Sequence, residues 1–506
     1  EGGRTGTVPE QRSNVVLRGL GSVAIAVVVL ACAALVSVWP TLTLLVVGLA
    51  LVIALAVFAP PFALVGAILL YGLEGAIKVR LARELPGVGV TPDALGAAVI
   101  DIAFLIAVVG VAREDRGRTL LAIWRNTDRW TRVALGLLAA WLALSLLQIP
   151  VSGDLGAGLA GFRLTQAYLI AVLAGAMLLA RSRPEHVMTA LVAVLLVIAA
   201  YAAYRAVAGP STSERVAAFA RSTTPLVPSG NGVIFRNIGS FSSTIGLASF
   251  LVPAGVFLFA LGLFLVRLRL AAWVGLALVL VALLGTYVRM ALLAIAAGAI
   301  CTALLSTFTS RLARRTKLTL GVASVPLLAL LVVLGPIATN AVSGGSQEVA
   351  ERSSGVLNPL SDPSLELRLQ RWRDSLKVVE AHPFGTGVGT VGRATLDRTG
   401  TARTFADNSY LKILQEQGPL GALPFILGVL GTFAAVAAGV ARRGGQLRAI
   451  GVVALAASLS FFVLATSSEA IEQPGKVLAW LLLGIALWTA FGAPRGAGRS
   501  EAQGAR

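Results

Sequence analysis

Three arginines of the 506-residue chain stand where arginine is costly. Arg163 lies within an apolar run (GFRLTQAYL), Arg236 just before one (VIFRNIGSF), and Arg289 in a break between two others (LLGTYVRMALLA). At mid-membrane an arginine costs about 2.5–3.5 kcal/mol on insertion scales. Snorkelling or pairing with a carboxylate accounts for any one of them taken alone. Three on one face point to an anion. A planar guanidinium grips phosphate oxygens through two parallel hydrogen bonds, which suits a lipid-linked pyrophosphate.

Carboxylates that could take a proton from a hydroxyl at the membrane surface are few. Asp407 stands in TFADNSYLKILQEQGPLG, and Glu469 and Glu472 in SSEAIEQPGK. Asp407 reads equally as the N-cap of a short helix starting at Asn408. Glu74 and Asp101, in or near early apolar runs, are explained as well by pairing with Lys78 or an arginine. There is no GxxxxGK[ST], HExxH or GxSxG, and the only histidines are His186 and His382. A Ser-His-Asp triad and a His-rich metal site are therefore not expected.

Membrane-spanning helices must position these residues. The chain is 57% hydrophobic and only 13% charged, against about 25% charged in soluble domains. That excludes a water-soluble enzyme and a disordered chain. The expected fold class is an all-α polytopic membrane protein. Apolar runs fall at 19–39, 41–58, 62–77, 95–112, 133–149, 156–180, 187–208, 240–265, 271–286, 291–308, 318–336, 419–441, 449–466 and 476–492. At about 20 residues per crossing they give about fourteen spans, with 62–77 the shortest. The chain opens at Glu1, which reads as a processed start, and 19–39 reads as a helix rather than a cleaved signal. Cys32 and Cys301 sit in apolar runs and read as small buried hydrophobes.

Lys and Arg outnumber Asp and Glu by 42 to 24. In a chain of this class the excess marks cytoplasmic loops rather than nucleic-acid binding. Fourteen crossings put Arg113–Arg132, Arg181, Arg183, Arg267, Arg269, Arg311–Lys317 and Arg442–Arg448 on one side with both termini. Lys78, Arg80 and Arg83 break the rule; either they add to an outward positive field or the third span is misplaced. Three regions follow: an N-terminal bundle (1–336, with an outer loop near 209–239), a large outer loop (337–418) and C-terminal helices with a cytoplasmic tail (419–506). The chain is expected to be multi-pass in the cytoplasmic membrane, with its site facing outward.

The large loop has readable anatomy. Asp362-Pro363 starts a helix, and Leu365, Leu369, Trp372, Leu376 and Val379 form one apolar stripe. Arg368, Arg371, Arg373 and Lys377 occupy the remaining surface. His382-Pro383 ends the helix, and Gly385, Gly387 and Gly389 make a flexible turn. This helix either roofs a lipid-headgroup site or simply packs on the bundle. The GTGVG turn is by itself slight evidence for phosphate binding.

The Arg-x-x-x-Trp of this helix, HPFGTGVG, and DNSYLKxLxExGxLG ending at Gly421 together resemble the signature loop of the O-antigen ligase and polymerase superfamily. FRNIGSFSSTIGLASF and the TYVRMALLAI arginine precede it in a similar layout. The resemblance implies a metal-independent glycosyltransferase of the helical GT-C type with no cofactor. It implies an undecaprenyl-diphosphate-linked oligosaccharide donor, a glycan or lipid-glycan acceptor, the lipid bilayer and other glycan-assembly proteins as partners, and no nucleic acid. Arg236 and Arg289 match the family's donor-holding arginines, and Arg163 is added to them as above. Asp407 stands where the ligases carry an acceptor-activating histidine, while His382 in the HPFG turn looks structural. That departure favours a polysaccharide polymerase over a ligase. Asn408, Arg368, Arg371, Trp372 and His382 are expected near the site. A polysaccharide or lipid transporter is the reading from another class, since it too would want cationic residues facing a cavity.

Overall fold

The computed structural model describes residues 40–84, 92–212, 214–215, 226–229, 232–307, 363–395 and 406–493. Among them the chain is helical apart from one hairpin. The helices are α1 (Pro40–Phe58), α2 (Pro60–Gly72), α3 (Glu74–Glu84), α4 (Pro92–Asp115), α5 (Arg118–Asn126), α6 (Arg129–Leu147), α7 (Leu155–Thr165) and α8 (Ile170–Arg181). After α9 (Pro184–Ala208) the hairpin pairs β1 (Leu226–Ser229) antiparallel with β2 (Gly232–Phe235), Leu226 opposite Phe235. Then follow α10 (Thr244–Phe264), α11 (Arg269–Leu284), α12 (Arg289–Thr307), α13 (Pro363–Ala381), α14 (Ser409–Ala441), α15 (Gly445–Leu464) and α16 (Gly475–Leu487).

Eleven described helices are long and apolar enough to cross a membrane, or twelve if α2 and the start of α3, bent by 60°, count as one. These correspond to twelve of the expected runs. The other two, 19–39 and 318–336, lie outside the described residues. The bent pair is the short 62–77 run: Pro60-Pro61 opens α2, and α3 turns away after Leu73. The 156–180 run is α7 and α8 joined by one 3₁₀ turn. The 419–441 run begins earlier, because helical hydrogen bonding resumes past a break at Gly418 (φ 63°). Gly418 tolerates this left-handed backbone, and its Cα lies so close to Pro383 O that a Cβ would be 2.3 Å from it.

The core forms where helices are apolar all round. α10 and α16 are each 89% buried across their spanning windows, whereas α1 and α6 are 28% buried and present Leu44, Leu51, Leu146 and Leu147 outward. Without a hydrophobic drive between helices in lipid, association rests on close packing through small residues. α8 and α16 show it: a Cβ on Gly175 would lie 2.0 Å from Leu481 O, and one on Gly484 1.9 Å from Val172 O. Trp480 of α16 lies edge-on to Phe462 of α15 at 4.9 Å, and Trp141 of α6 tilts on Phe425 of α14 at 4.5 Å.

Consecutive helices run back and forth, so loops gather at two ends. One end collects the arginines predicted to be cytoplasmic: Arg181 pairs with Asp115, Arg267 with Glu185, and Arg443 donates to Ala490 O. The other collects Glu84 on the Thr41 amide, 147–155, 236–243, 285–288, α13 and 465–474. Lys78 belongs to this second end and is buried against Glu74. Substituting Gly484→Ala should therefore force α8 and α16 apart at a cost of about 1–3 kcal/mol. Gly136→Ala, whose Cβ meets nothing within 4 Å, should cost nothing. Thermal unfolding of the purified protein in detergent separates the two.

Candidate functional site

Beneath the second end lies a cation enclosed by carboxylates. Lys412 and Glu416 stand one turn apart in the first part of α14, with Nζ 2.7 Å from Glu416 Oε1. Nζ is also 3.2 Å from Glu472 Oε1, and all three side chains are wholly buried. Burying ions is offset only when geometry is close and the remaining oxygens are bonded. Here they are. Glu416 Oε1 accepts from the Gly389 and Val391 amides at 2.9 and 3.2 Å, and Glu472 Oε2 from the Arg393 amide at 2.8 Å. Lys412 thus ties three separate segments together: α14, the glycine turn after α13, and the 465–474 loop.

The glycine turn is packed rather than flexible. Gly385, Gly387 and Gly389 all have positive φ, and Cβ atoms there would meet Glu416 O, Ser152 N and Ala157 O at 2.0–2.3 Å. Its Thr386 and Gly387 amides donate to Gln415 O and Glu416 O. With these amides and those of Gly389 and Val391 engaged by the protein, the turn is a fitting between α7 and α14, not a phosphate cradle.

Above this floor lie the carboxylates expected from sequence. Glu469 is 7% exposed, and its Oε1 accepts from the Ala406 amide at 2.8 Å. Burial, reinforced by the neighbouring Glu472, pushes its carboxyl up to about 8. Next in the chain after Ala406, Asp407 pairs with Arg371 of α13. It is not the N-cap. Its φ of 49° departs from the extended backbone of a cap, and Asn408 caps α14 instead by accepting from the Tyr410 and Leu411 amides. Trp372 and Arg368 are half-buried on α13, and the Trp372 ring N–H is buried. His382 is exposed just past the helix end, its carbonyl accepting from the Gly385 amide.

Two further groups adjoin this floor. Lys476 donates to Glu472 O at 3.1 Å and lies 4.4 Å over the Tyr168 ring. Tyr168, Tyr71 and the Nε of Arg163 all donate to Asp101. On the other flank, the Arg393 guanidinium donates to Ser242 Oγ at 3.2 Å, and Ser242 to Glu74 at 3.0 Å. Arg163 is thus ion-paired with a carboxylate on α4, as the pairing alternative for a lone intramembrane arginine allows.

Arg236 and Arg289 come together elsewhere at this end, on the 285–288 turn. Arg236 Nε donates to Thr286 O at 2.9 Å, and Arg289 begins α12 three residues on. Asn237 fixes that turn: its amide donates to Gly285 O, and its Nδ2 to Ala202 O and Ala282 O. Tyr287, with φ 55°, reverses the chain so that Arg289 emerges at the helix start. Both arginines are half-buried.

The fold therefore brings Arg236 and Arg289 to one turn, and Arg371, Asp407, Glu469 and Glu472 to another group. It draws Arg163 into the Asp101 cluster. Sequence reading missed Lys412, Glu416, Lys476 and Arg393 as parts of the site. Lys412 and Glu416 had a signal, charges four apart on one face of an apolar helix. Arg393 had none, since its role depends on its own amide and guanidinium meeting Glu472 and Ser242, both distant in the chain.

Residues 274–426 match the O-antigen ligase family. No curated protein matches the chain. The matched stretch runs from within α11 to within α14, so it includes Arg289, Arg371, Asp407, Lys412 and Glu416. With the apolar spans, the match supports a multi-pass membrane enzyme of the O-antigen ligase and polymerase type, glycosyltransferase-like and drawing on lipid-linked glycans.

Removing one partner from a buried ion cluster costs about 3–5 kcal/mol because the remaining charges are uncompensated. Lys412→Met should accordingly collapse the yield of folded protein in detergent. Adding Glu416→Gln to that variant should restore part of it, because one of the stranded charges is then gone. Size-exclusion profiles of the two variants test this.

Proposed function

We propose that this chain transfers a glycan from a polyprenyl-diphosphate carrier to a sugar hydroxyl on the outer face of the cytoplasmic membrane. The observation that carries the reading is positional. The family match spans both Arg289 and the Arg371–Asp407 pair, and the fold gathers the arginine turn and the carboxylates at one end of the bundle.

In this reading Arg236 and Arg289 hold the donor diphosphate, and their fixed positive charge stabilises the departing phosphate oxygens without a metal. Arg163 is committed to Asp101 and stands outside this clamp. The acceptor oxygen attacks the anomeric carbon, the bond from that carbon to the diphosphate breaks, and polyprenyl diphosphate leaves. The acceptor's proton passes to a carboxylate. Of the three candidates, Glu472 is committed to Lys412 and the Arg393 amide, and Asp407 to Arg371. Glu469, held through one oxygen by the Ala406 amide and with its carboxyl near 8, fits the proton acceptor best. Arg371 and Asp407 then orient the acceptor sugar. A carboxylate in place of the ligase histidine favours extension of a polysaccharide over transfer to a dedicated lipid acceptor. Among transfer products, a ladder of lengths marks the polymerase and a single product the ligase.

The sign of the pH dependence follows from Glu469. A raised carboxyl favours the protonated folded state, so its contribution to stability is lost as pH rises through about 8. A base works only when ionised, so turnover should rise over the same window. Glu469→Gln should abolish most turnover and remove that limb from the stability profile. A wild-type pH–rate curve in the Gln variant would exclude the assignment.

The diphosphate clamp is tested at Arg289. Transfer from a lipid-diphosphate donor should be abolished in Arg289→Ala and severely impaired in Arg289→Lys, which keeps the charge but loses the bidentate fork. Both should insert and fold normally. Wild-type transfer by a well-folded Arg289→Ala protein would remove this residue from the site.

A further inference from the structure

At the end of the bundle opposite the proposed site, α5 is too short to cross a membrane. It joins two spanning helices, Ala94–Asp115 and Arg129–Leu147, so it must lie at headgroup depth. We infer that α5 and the start of α6 form a binding surface for the headgroups of anionic membrane lipids.

The segment is fastened from within. Thr119 and Ile123 are buried, and Thr119 donates to Asp115, which is itself paired with Arg181. Asn126 Nδ2 donates to Phe491 O at 2.9 Å, fixing the far end of α5 to the end of the last span. The opposite face is apolar and open: Leu121 is 48% exposed, Trp124 53% and Trp130 77%. Tryptophan in such a position favours the bilayer interface. Arg118, Arg125, Arg129 and Arg132 ring this face and are exposed, and the Arg132 guanidinium lies 5.4 Å from the centre of the Trp124 ring.

What decides for an anion is that the local carboxylates are turned to other uses. Asp115 is buried with Thr119 and Arg181, and Asp128 caps α6 by accepting from the Thr131 amide and hydroxyl. Among the described residues 113–132 the remaining carboxylate is the exposed Glu114 of α4, against four exposed arginines of the segment. An arginine-ringed face with leucine and tryptophan at its centre matches an anionic headgroup layer: the apolar side chains enter the acyl boundary, and the guanidiniums take the phosphates. The inference does not rest on the transferase reading.

The test uses the purified full chain in detergent, with thermal unfolding as readout. Phosphatidylglycerol should raise the unfolding temperature by several degrees, and salt at about 0.5 M should largely cancel the rise. Phosphatidylcholine and soluble glycerol phosphate should leave the temperature unchanged. The rise should be lost in Arg118→Gln/Arg125→Gln/Arg129→Gln and retained in Arg80→Gln, an exposed arginine at the other end. Equal stabilisation by phosphatidylcholine, stabilisation by glycerol phosphate alone, or a rise insensitive to salt would overturn the inference. So would an undiminished rise in the triple variant. If that variant does not fold, the salt and lipid arms on the unaltered chain decide.

Discussion

The site end of this protein depends on one buried ammonium. Lys412 could not lie wholly out of water unless carboxylates met it, and Glu416 and Glu472 meet it from different segments. Each carboxylate in turn needs donors for its other lone pairs, and these come from the backbone of the turn after α13. The demand for satisfied charge in a dry interior therefore dictates backbone shape. The Gly385, Gly387 and Gly389 turn has positive φ and no room for a Cβ because its amides must reach Glu416 while α7 presses from the other side. Gly392 follows the same logic, since a Cβ there would sit 2.7 Å from both Glu469 and Glu472 oxygens.

That constraint sorts the ionisable groups by task. Glu416 and Glu472 each pair with Lys412 and accept from backbone amides, and serve as structure. Asp101 collects two tyrosine hydroxyls and Arg163, and Lys476 bridges that cluster to the Lys412 floor. Glu469 accepts from the Ala406 amide, and burial together with the neighbouring Glu472 raises its carboxyl. A raised carboxyl next to a half-buried Arg–Asp pair suits the proton transfer proposed above. The arginine turn at 285–288 is built independently, through Asn237, so the donor holding and proton transfer proposed above call on separately mutable parts.

The spanning helices were legible because each writes its length in apolar residues, and the arginine-rich loops showed which ends share a side. Arg236 and Arg289 were legible as a pair of costly cations, although nothing in their spacing of more than fifty positions says that one turn holds both. The Asp407 cap was misread because Asp and Asn are adjacent and equally able to cap; the tertiary pull of Arg371 decided for Asn408. Arg163 was read with the other two arginines, whereas its partner Asp101 lies 62 positions away on α4. The glycine turn read as flexible from its composition. Only its neighbours, Ser152, Ala157 and Glu416, show that the glycines are there for close approach.

The central claim, that this end of the bundle performs glycan transfer, is tested most directly by following both products at once. Purified protein is supplied with a polyprenyl-diphosphate-linked oligosaccharide and a glycan acceptor in EDTA, and new glycosidic bonds and released polyprenyl diphosphate are counted together. The account predicts that both accumulate, one for one. Movement of the lipid-linked glycan across liposome membranes with no new glycosidic bond would contradict it and make the chain a transporter. A strict requirement for divalent metal would contradict the arginine-held leaving group.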